Sequence, residues 1–527
     1  MDSMVFSVRA AQIALAVSVG LGWVALRRSG RTSASAWERL LPSILAVYSL
    51  LQIGFMAYLW LNHASFPLNL EAMELTVLAH VRRVLAGVPI YVPPSPEFAP
   101  LAYNPLFYVL AVPFTWIAGP SLLALRLLAI AGMFGCAAVI FLALRRETGS
   151  SWWALVGLGL FAAAYRAMDT YLDNAHADSW MLFTALLGCY LVSLNRSRAL
   201  NLVGVVCAVA SFWLKQPGAV FAVGIVAYLM VREGTRRSWP YWSVALVLGP
   251  ALYLLIPEQW TGPLFTYYTW AVPRQWVSIS PDMLRRLAGY YVRNVPLLAA
   301  AGGVGWFVDL RKGGMRGSPW FFLLPFAFLT AVSGALDSES NNNVFIPLAV
   351  WLILTGVIAL SRAAAARTGA GRMGLPQAIV GASFVLLVYN PWSVMVSPRA
   401  VGAYADLQSY LRGLDGPVYA PWIGPLADGN EFSPAIHWVP MTDLVRRPGR
   451  DLASEPLIRT LLDPVVHPAG QAYILTNFPL DQDSALSFLG DTYVLAEDQG
   501  SRFAALSALP KRYSLGWPRY LYAYRGG

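Results

Sequence analysis

Apolar stretches of roughly 15–25 residues, the length that carries a helix across a bilayer, follow one another from near residue 10 to near residue 391, and the short links between them alternate in charge. One set of links is rich in arginine: Arg27, Arg28 and Arg31; Arg145 and Arg146; Arg196 and Arg198; Arg232, Arg236 and Arg237; Arg311, Lys312 and Arg316; Arg362, Arg367 and Arg372. The other set holds most of the acids that precede the last stretch: Glu71, Glu74 and Glu97; Asp169, Asp173 and Asp178; Glu258 and Asp282; Asp337 and Glu339. Short basic loops stay in the cytoplasm. The pattern therefore predicts a mainly α, polytopic membrane protein whose carboxylates gather on the outer face. The spacing predicts about twelve spans, near 10–26, 40–61, 120–144, 152–168, 179–194, 199–214, 217–231, 241–257, 290–309, 319–335, 343–361 and 376–391.

Only 13% of the 527 residues are charged and 57% are hydrophobic, whereas a soluble domain is about a quarter charged. The net charge of +10 does not mark a nucleic-acid binder, because the excess arginines are topology determinants and no basic run with interleaved aromatics occurs. Cys136, Cys189 and Cys207 lie inside apolar spans, so neither a disulfide framework nor a Cys-ligated zinc site is expected. The stretch 10–26 lacks a small-x-small cleavage site, and its charge order puts the N-terminus outside.

Two outer loops are long, 62–119 and 258–289. The first holds a helical piece, the Pro-rich segment 91–96 and an amphipathic run from Leu106 to Ile117. Composition turns ordinary after Trp392. The chain thus divides into a membrane part, 1–391, and a small α/β part, 392–527, outside by parity. In the latter an amphipathic helix is predicted over Ala400 to Leu411, and short strands at Pro417–Tyr419, Ala472–Leu475 and Tyr493–Leu495.

Glu71 and Glu74 are three residues apart, so on a helix both face one way. A carboxylate at a membrane surface acts as a general base when burial and neighbours tune it; a solvated helix face is the alternative. In the second acidic loop, Asp178 and Ser179 open a span, where a capping role competes with a catalytic one. Asp173, His176 and Asp178 together with Glu74 are also of the types that ligate a divalent metal. Lys215 ends one span and is followed directly by another. It is either an interfacial anchor or a cation for a phosphate held at the surface. Asn341, Asn342 and Asn343 open a span as caps or as pocket lining.

The order of these pieces resembles the GT-C superfamily of polyprenyl-phosphate-sugar glycosyltransferases, and within it the family 39-like branch of protein O-mannosyltransferases and lipid A aminoarabinose or galacturonic acid transferases. Those proteins show Asp-Glu, Gly-x-x-x-Tyr, Tyr-Pro-Pro-Leu-x-Tyr, Arg-Pro-Asp-Ala and Thr-Lys-Gln. Here Met73-Glu74, Gly87 to Tyr91, Tyr103-Asn104-Pro105-Leu106-Phe107-Tyr108, His176-Ala177-Asp178-Ser179 and Leu214-Lys215-Gln216 occupy those places. Met73 replaces the Asp of the pair, which makes Glu71 a stand-in. His176 replaces the Arg of the second motif.

The resemblance implies transfer of a sugar from a polyprenyl-phosphate donor to a lipid, glycan or protein acceptor on the outer face of a bacterial inner membrane. It assigns Glu74 as base, with Asp178 orienting the acceptor or supporting the base. Lys215 holds the donor phosphate, with Arg82, Arg83, Arg274 or Arg293 as further cations, and Tyr103 and Tyr108 shape the cavity wall. Gln216, Asp173, His176 and Asn342 complete the expected substrate-binding set. No cofactor is implied, and a divalent metal is optional, because a single leaving phosphate is stabilised by cationic side chains. Two other classes fit the same frame: a lipid or polysaccharide transporter or flippase, which would carry ionisable residues at mid-span, and an inactive GT-C-like assembly subunit.

Overall fold

The computed structural model describes residues 33–337, 339–366, 374–423, 436–508 and 517–526. The expected span at 10–26 lies outside them, as do Arg27, Arg28, Arg31, Arg367 and Arg372. The described chain is mainly helical. It begins with α1 (Ser33–Ala64), α2 (Glu74–Leu85), α3 (Leu106–Ala118), α4 (Leu122–Thr148), α5 (Ser151–Ala163), α6 (Asp178–Leu194), α7 (Arg198–Leu214), α8 (Ala219–Glu233) and α9 (Trp239–Leu246). It continues with α10 (Pro281–Asn294), α11 (Pro296–Arg311), α12 (Pro319–Ala335), α13 (Ile346–Ala365), α14 (Gly374–Leu386) and α15 (Pro398–Arg412).

Local chemistry sets the ends. The hydroxyls of Ser121, Ser150 and Ser197 accept backbone N–H bonds at the starts of α4, α5 and α7, satisfying donors that a helix leaves free. Gly149, at φ 66°, closes α4 in the left-handed conformation that suits glycine. Pro250 withholds an N–H, and α9 runs on to Leu255 through a π turn at Val247–Ala251. Val295, at φ −135° and ψ 37°, separates α10 from α11, because a residue before proline avoids the α region. The outer loop expected over 258–289 is therefore partly helical, and α10 occupies its end.

By length and apolarity, three helices among the described residues suffice to cross a membrane: Leu40–Ala64, Leu122–Thr148 and Asn342–Ala365. A pair bent by 65°, Gly374–Leu386 with Pro391–Arg412, makes a fourth if taken as one span. Other apolar helices at expected positions are shorter, 10–17 residues, because serine caps, prolines and polar turns cut them. The helix α13 is the hub, buried along most of its length, and packs on α11 and α12, while α6 packs on α4 and α7.

The C-terminal part holds a four-stranded sheet of β1 (Val418–Tyr419), β2 (Tyr473–Thr476), β3 (Tyr493–Asp498) and β4 (Tyr520–Tyr524), in the order β1-β2-β4-β3. β1 is parallel to β2, with Val418 opposite Tyr473; β4 runs antiparallel to both neighbours, with Ile474 opposite Tyr522. β4 has no counterpart among the expected strands. Leu407 and Leu411 of α15 share an apolar core with Val418, Leu475 and Leu521 of the sheet. Phe66, Leu68 and Leu70, from the loop after α1, are buried in that same core, so this loop of the helical part is seated on the C-terminal sheet.

Candidate active site

The loop between α1 and α2 is pinned from below by one side chain. Arg126 of α4 is fully buried. It donates through Nη1 to the carbonyls of His63 (2.9 Å) and Phe66, and through Nη2 to Leu68 (2.7 Å). Its Nε and Nη2 donate to Glu74 at 2.9 and 2.6 Å. Glu74 also accepts the backbone N–H groups of Leu70 (2.7 Å) and Ala175 (2.9 Å). Burial raises its carboxyl pKa, but the Arg126 charge and these hydrogen bonds outweigh burial and hold it below the usual range. A carboxylate with every lone-pair direction engaged and no exposure is poorly disposed to take a proton from a substrate. Glu74 does not line the cavity described below, and its surroundings are those of a structural anchor, not of the expected base.

Glu71 has a different setting. It lines the cavity, accepting the Met73 N–H at 2.8 Å and the Tyr171 hydroxyl at 3.1 Å. Burial pushes its carboxyl above the usual range, against the pull of His176 and these hydrogen bonds. Tyr171 is delivered by a tight turn in which Asp169 and Thr170 adopt φ 51° and 57°, left-handed values that cost free energy in non-glycine residues and cluster at functional sites. The Asn341 amide donates to the same hydroxyl at 2.9 Å.

Lys215 sits where α7 ends. Its backbone is extended, at φ −156° and ψ 134°, ahead of the turn Gln216–Gly218. Gly218 approaches Ser211 so closely that a Cβ would fall 2.2 Å from the Ser211 carbonyl, so only glycine fits this turn. The Lys215 Nζ donates to both Asp178 carboxylate oxygens, at 2.9 and 3.1 Å, and lies 5.4 Å from the centre of the Tyr103 ring. Asp178 also bonds His176 Nδ1 and accepts the Asn343 amide at 3.3 Å. Asp178 makes no side-chain cap for α6; its carboxylate serves this network. His176 Nε2 is buried without a hydrogen-bond partner among the described residues, and its ring meets the edges or faces of Tyr103 and Tyr171 at 5.2 and 5.9 Å.

Glu71, Tyr171, Lys215, Asn341 and Asn343 border a cavity of about 840 Å³, with Asp178 and His176 behind Lys215. Of the expected residues, Glu71, Tyr103, Lys215, Gln216 and Arg274 line it. Gln216 is oriented by donating to the carbonyls of Ala102 (2.7 Å) and Thr269 (3.1 Å). Others do not line it. Tyr108 stacks on the buried His80 at 4.8 Å. Asp173 is buried against His63 (2.7 Å) and the Tyr165 hydroxyl (2.6 Å). Arg82 is exposed away from the cavity, and Arg83 donates to the Pro89 carbonyl at 2.9 Å while covering Phe98. Arg293 is exposed, and Asn342, though exposed, hydrogen-bonds Asp169 through its side chain, whereas its neighbours Asn341 and Asn343 line the cavity. Asp173, His176, Asp178 and Glu74 do not converge, and among the described residues no three His, Cys, Asp or Glu side chains are grouped to hold a metal.

The cavity also has a wall that sequence reading missed: Trp422, Trp438, Asp443, Arg446, Phe478 and Asp483, all from the C-terminal part. Arg446 ties this wall to the helical part. It donates to Asp337 at 3.0 and 3.2 Å and stands over the Trp276 ring. Arg126 was equally missed, although an arginine inside an apolar span is a signal in its own right.

A bundle of apolar helices, capped by a small mixed sheet over a cavity that carries a carboxylate and a paired lysine, is a fold with solved counterparts. It is shared with ArnT from Cupriavidus metallidurans. The apo structure of that protein matches with a TM-score of 0.51 and 13% identity over 93% of this chain and 98% of that one. Its structure bound to undecaprenyl phosphate matches with a TM-score of 0.51 and 14% identity over 90% and 97%. No protein-family model and no curated protein matches the chain.

Proposed function

We propose that this chain is an integral membrane glycosyltransferase that moves a sugar from a polyprenyl-phosphate donor to an acceptor hydroxyl, with inversion at the anomeric carbon. The observation that carries it is the pairing, on one cavity, of a buried carboxylate whose pKa is raised and a lysine held at the cavity wall by a counter-charge. The fold shared with ArnT, one structure of which holds undecaprenyl phosphate, supports a polyprenyl-phosphate donor.

In this reading Glu71 takes the proton from the acceptor hydroxyl. The oxygen forms its bond to the anomeric carbon as the bond from that carbon to the phosphate oxygen breaks, and the polyprenyl phosphate leaves. Lys215 meets the charge that develops on the phosphate, with Arg274 as a second cation. Asp178 holds both Lys215 and His176, and is a positioning residue. Glu74 and Arg126 fix the loop that presents Glu71. Tyr171, donating to Glu71, steadies its carboxylate. The membrane part to residue 391 crosses about twelve times, the part from 392 lies outside, and the reaction takes place on the outer face of a bacterial inner membrane, as in the family 39-like branch.

The test is direct. The purified chain in nanodiscs is given a panel of polyprenyl-phosphate sugars together with extracted envelope lipids and glycans, and release of free polyprenyl phosphate is followed. Release that depends on the chain and disappears in Glu71→Gln supports the reading. No release from any donor defeats it.

A further inference from the structure

The wall contributed by the C-terminal part is a built surface that the transfer steps above leave unused. Trp422 and Trp438 stack with ring centres 4.0 Å apart and planes 21° apart. Both indole N–H groups donate to a single carboxylate, Asp483, at 3.0 Å each. Asp483 is buried and further fixed by the N–H groups of Ala485 and Leu486, at 2.9 and 3.1 Å. Phe478 meets Trp422 edge-on at 6.1 Å. Indoles locked in this way lose little freedom when something settles against them. Beside them on the cavity surface stand Gln482 and Ser484, both exposed.

The wall is also fixed in register with the proposed base. The Asn69 amide donates to the Ala72 carbonyl at 3.3 Å and to the Ile423 carbonyl at 3.2 Å. One side chain thus joins the residue after Glu71 to the residue after Trp422. His437 Nε2 bonds the Trp422 carbonyl at 3.1 Å, so the wall is held on both sides.

Resting on the transfer reading above, we propose that this wall is an acceptor subsite for a pyranose ring, so that the acceptor is a saccharide or the sugar headgroup of a larger molecule. An indole face is electronegative, and it attracts the weakly positive C–H groups of one face of a pyranose. The hydroxyls at the ring rim find the amide of Gln482 and the hydroxyl of Ser484. An acyl chain has no use for those polar groups, and the wall's Arg446 is already paired with Asp337 and Asp443, which leaves the indole face itself without a charge to draw a phosphate. A sugar seated here directs a hydroxyl toward Glu71. That O–H bond breaks as its proton moves to Glu71, and its oxygen bonds the anomeric carbon of the donor while the phosphate departs.

The full chain in nanodiscs, free of sugar-based detergent, is titrated with maltotriose, cellotriose and mannotriose. Tryptophan fluorescence and saturation-transfer NMR report binding, and undecaprenyl phosphate binding is measured in parallel. At least one trisaccharide is expected to bind. Trp438→Ala should weaken it by about tenfold, the scale of a lost aromatic contact, and Trp438→Phe should restore most of it. Gln482→Ala, at an exposed position, should alter the preference among the three. Undecaprenyl phosphate binding should be unchanged throughout. Failure of all three sugars to bind, or equal binding by Trp438→Ala, overturns the assignment. Laurate bound in a Trp438-dependent way, with no sugar bound, gives the wall to lipid and overturns it too. Saccharide binding without polyprenyl-phosphate-dependent transfer would defeat the transfer reading while leaving the subsite in place; transfer to a non-sugar acceptor would do the reverse.

Discussion

The Glu74 backbone N–H donates to the Glu71 carbonyl at 3.3 Å, yet the carboxyl groups of these neighbours are driven in opposite directions. Glu74 faces Arg126 and is held ionised below its usual range. Glu71 faces the cavity and is pushed up by burial. Three residues of chain separate a carboxylate engaged by an arginine from one that borders the cavity.

Their glutamine variants should therefore separate cleanly. Glu71→Gln should lower turnover by ~100-fold or more, the scale of general-base loss, with the melting temperature of the detergent-solubilised chain nearly unchanged. Glu74→Gln leaves Arg126 buried without its counter-charge and should destabilise the fold by about 3–5 kcal/mol. Thermal unfolding beside a single-turnover assay reads both. An inactive but fully stable Glu74→Gln would return the base to that residue.

The pH profile follows from the direction of the Glu71 shift. A base must be unprotonated, so turnover should rise with pH and reach its half-maximum above the ordinary carboxylate range, with Glu71→Gln losing that limb. Glu74 acts instead on stability, which likewise rises with pH. Its depressed pKa stabilises the fold above the unfolded value, and that contribution is lost as pH falls through the folded one. Acid should therefore weaken the fold, and Glu74→Gln should lose that part of the pH dependence of the melting temperature.

Lys215→Met keeps the apolar stem and removes the charge. Binding of undecaprenyl phosphate should weaken by about tenfold or more, with Lys215→Arg nearer to wild type. Equal affinity in the Met variant would reduce Lys215 to a partner for Asp178.

Asp443 lies on the cavity wall between Arg446 and Asp337, and burial raises its carboxyl to about 6. A raised carboxyl favours the folded state at low pH, and that advantage fades as pH climbs through about 6. Asp443→Asn should flatten this dependence and raise the melting temperature by ~2 °C at neutral pH. A stability curve of unchanged shape in Asp443→Asn would count against it.

Much of the helical frame is legible in the sequence, because apolar length and arginine placement are local properties. Helices α4, α6, α7, α12 and α13 fall within a few residues of the expected spans. That Lys215, Gln216 and Tyr103 would line a cavity is legible for a similar reason: they sit at the junctions that the motifs mark. Tyr108 and Asp173 mislead because a polar residue in an outer loop reads the same whether it faces a cavity or is satisfied in the core. The choice between Glu71 and Glu74 turns on Arg126, whose contact with Glu74 spans 52 positions of chain. The aromatic wall is more distant still: Trp422 and Asp483 are 61 positions apart, and no periodicity links them to Glu71.

Arg126 gives the protein an order of assembly. The carbonyls of His63, Phe66 and Leu68, and the carboxylate of Glu74, are gathered by a guanidinium that leaves the ribosome only after all of them. The loop that carries Glu71 cannot be tied down until α4 has been made, and its apolar side chains then wait for α15 and the sheet, which begin only at Pro398, to cover them.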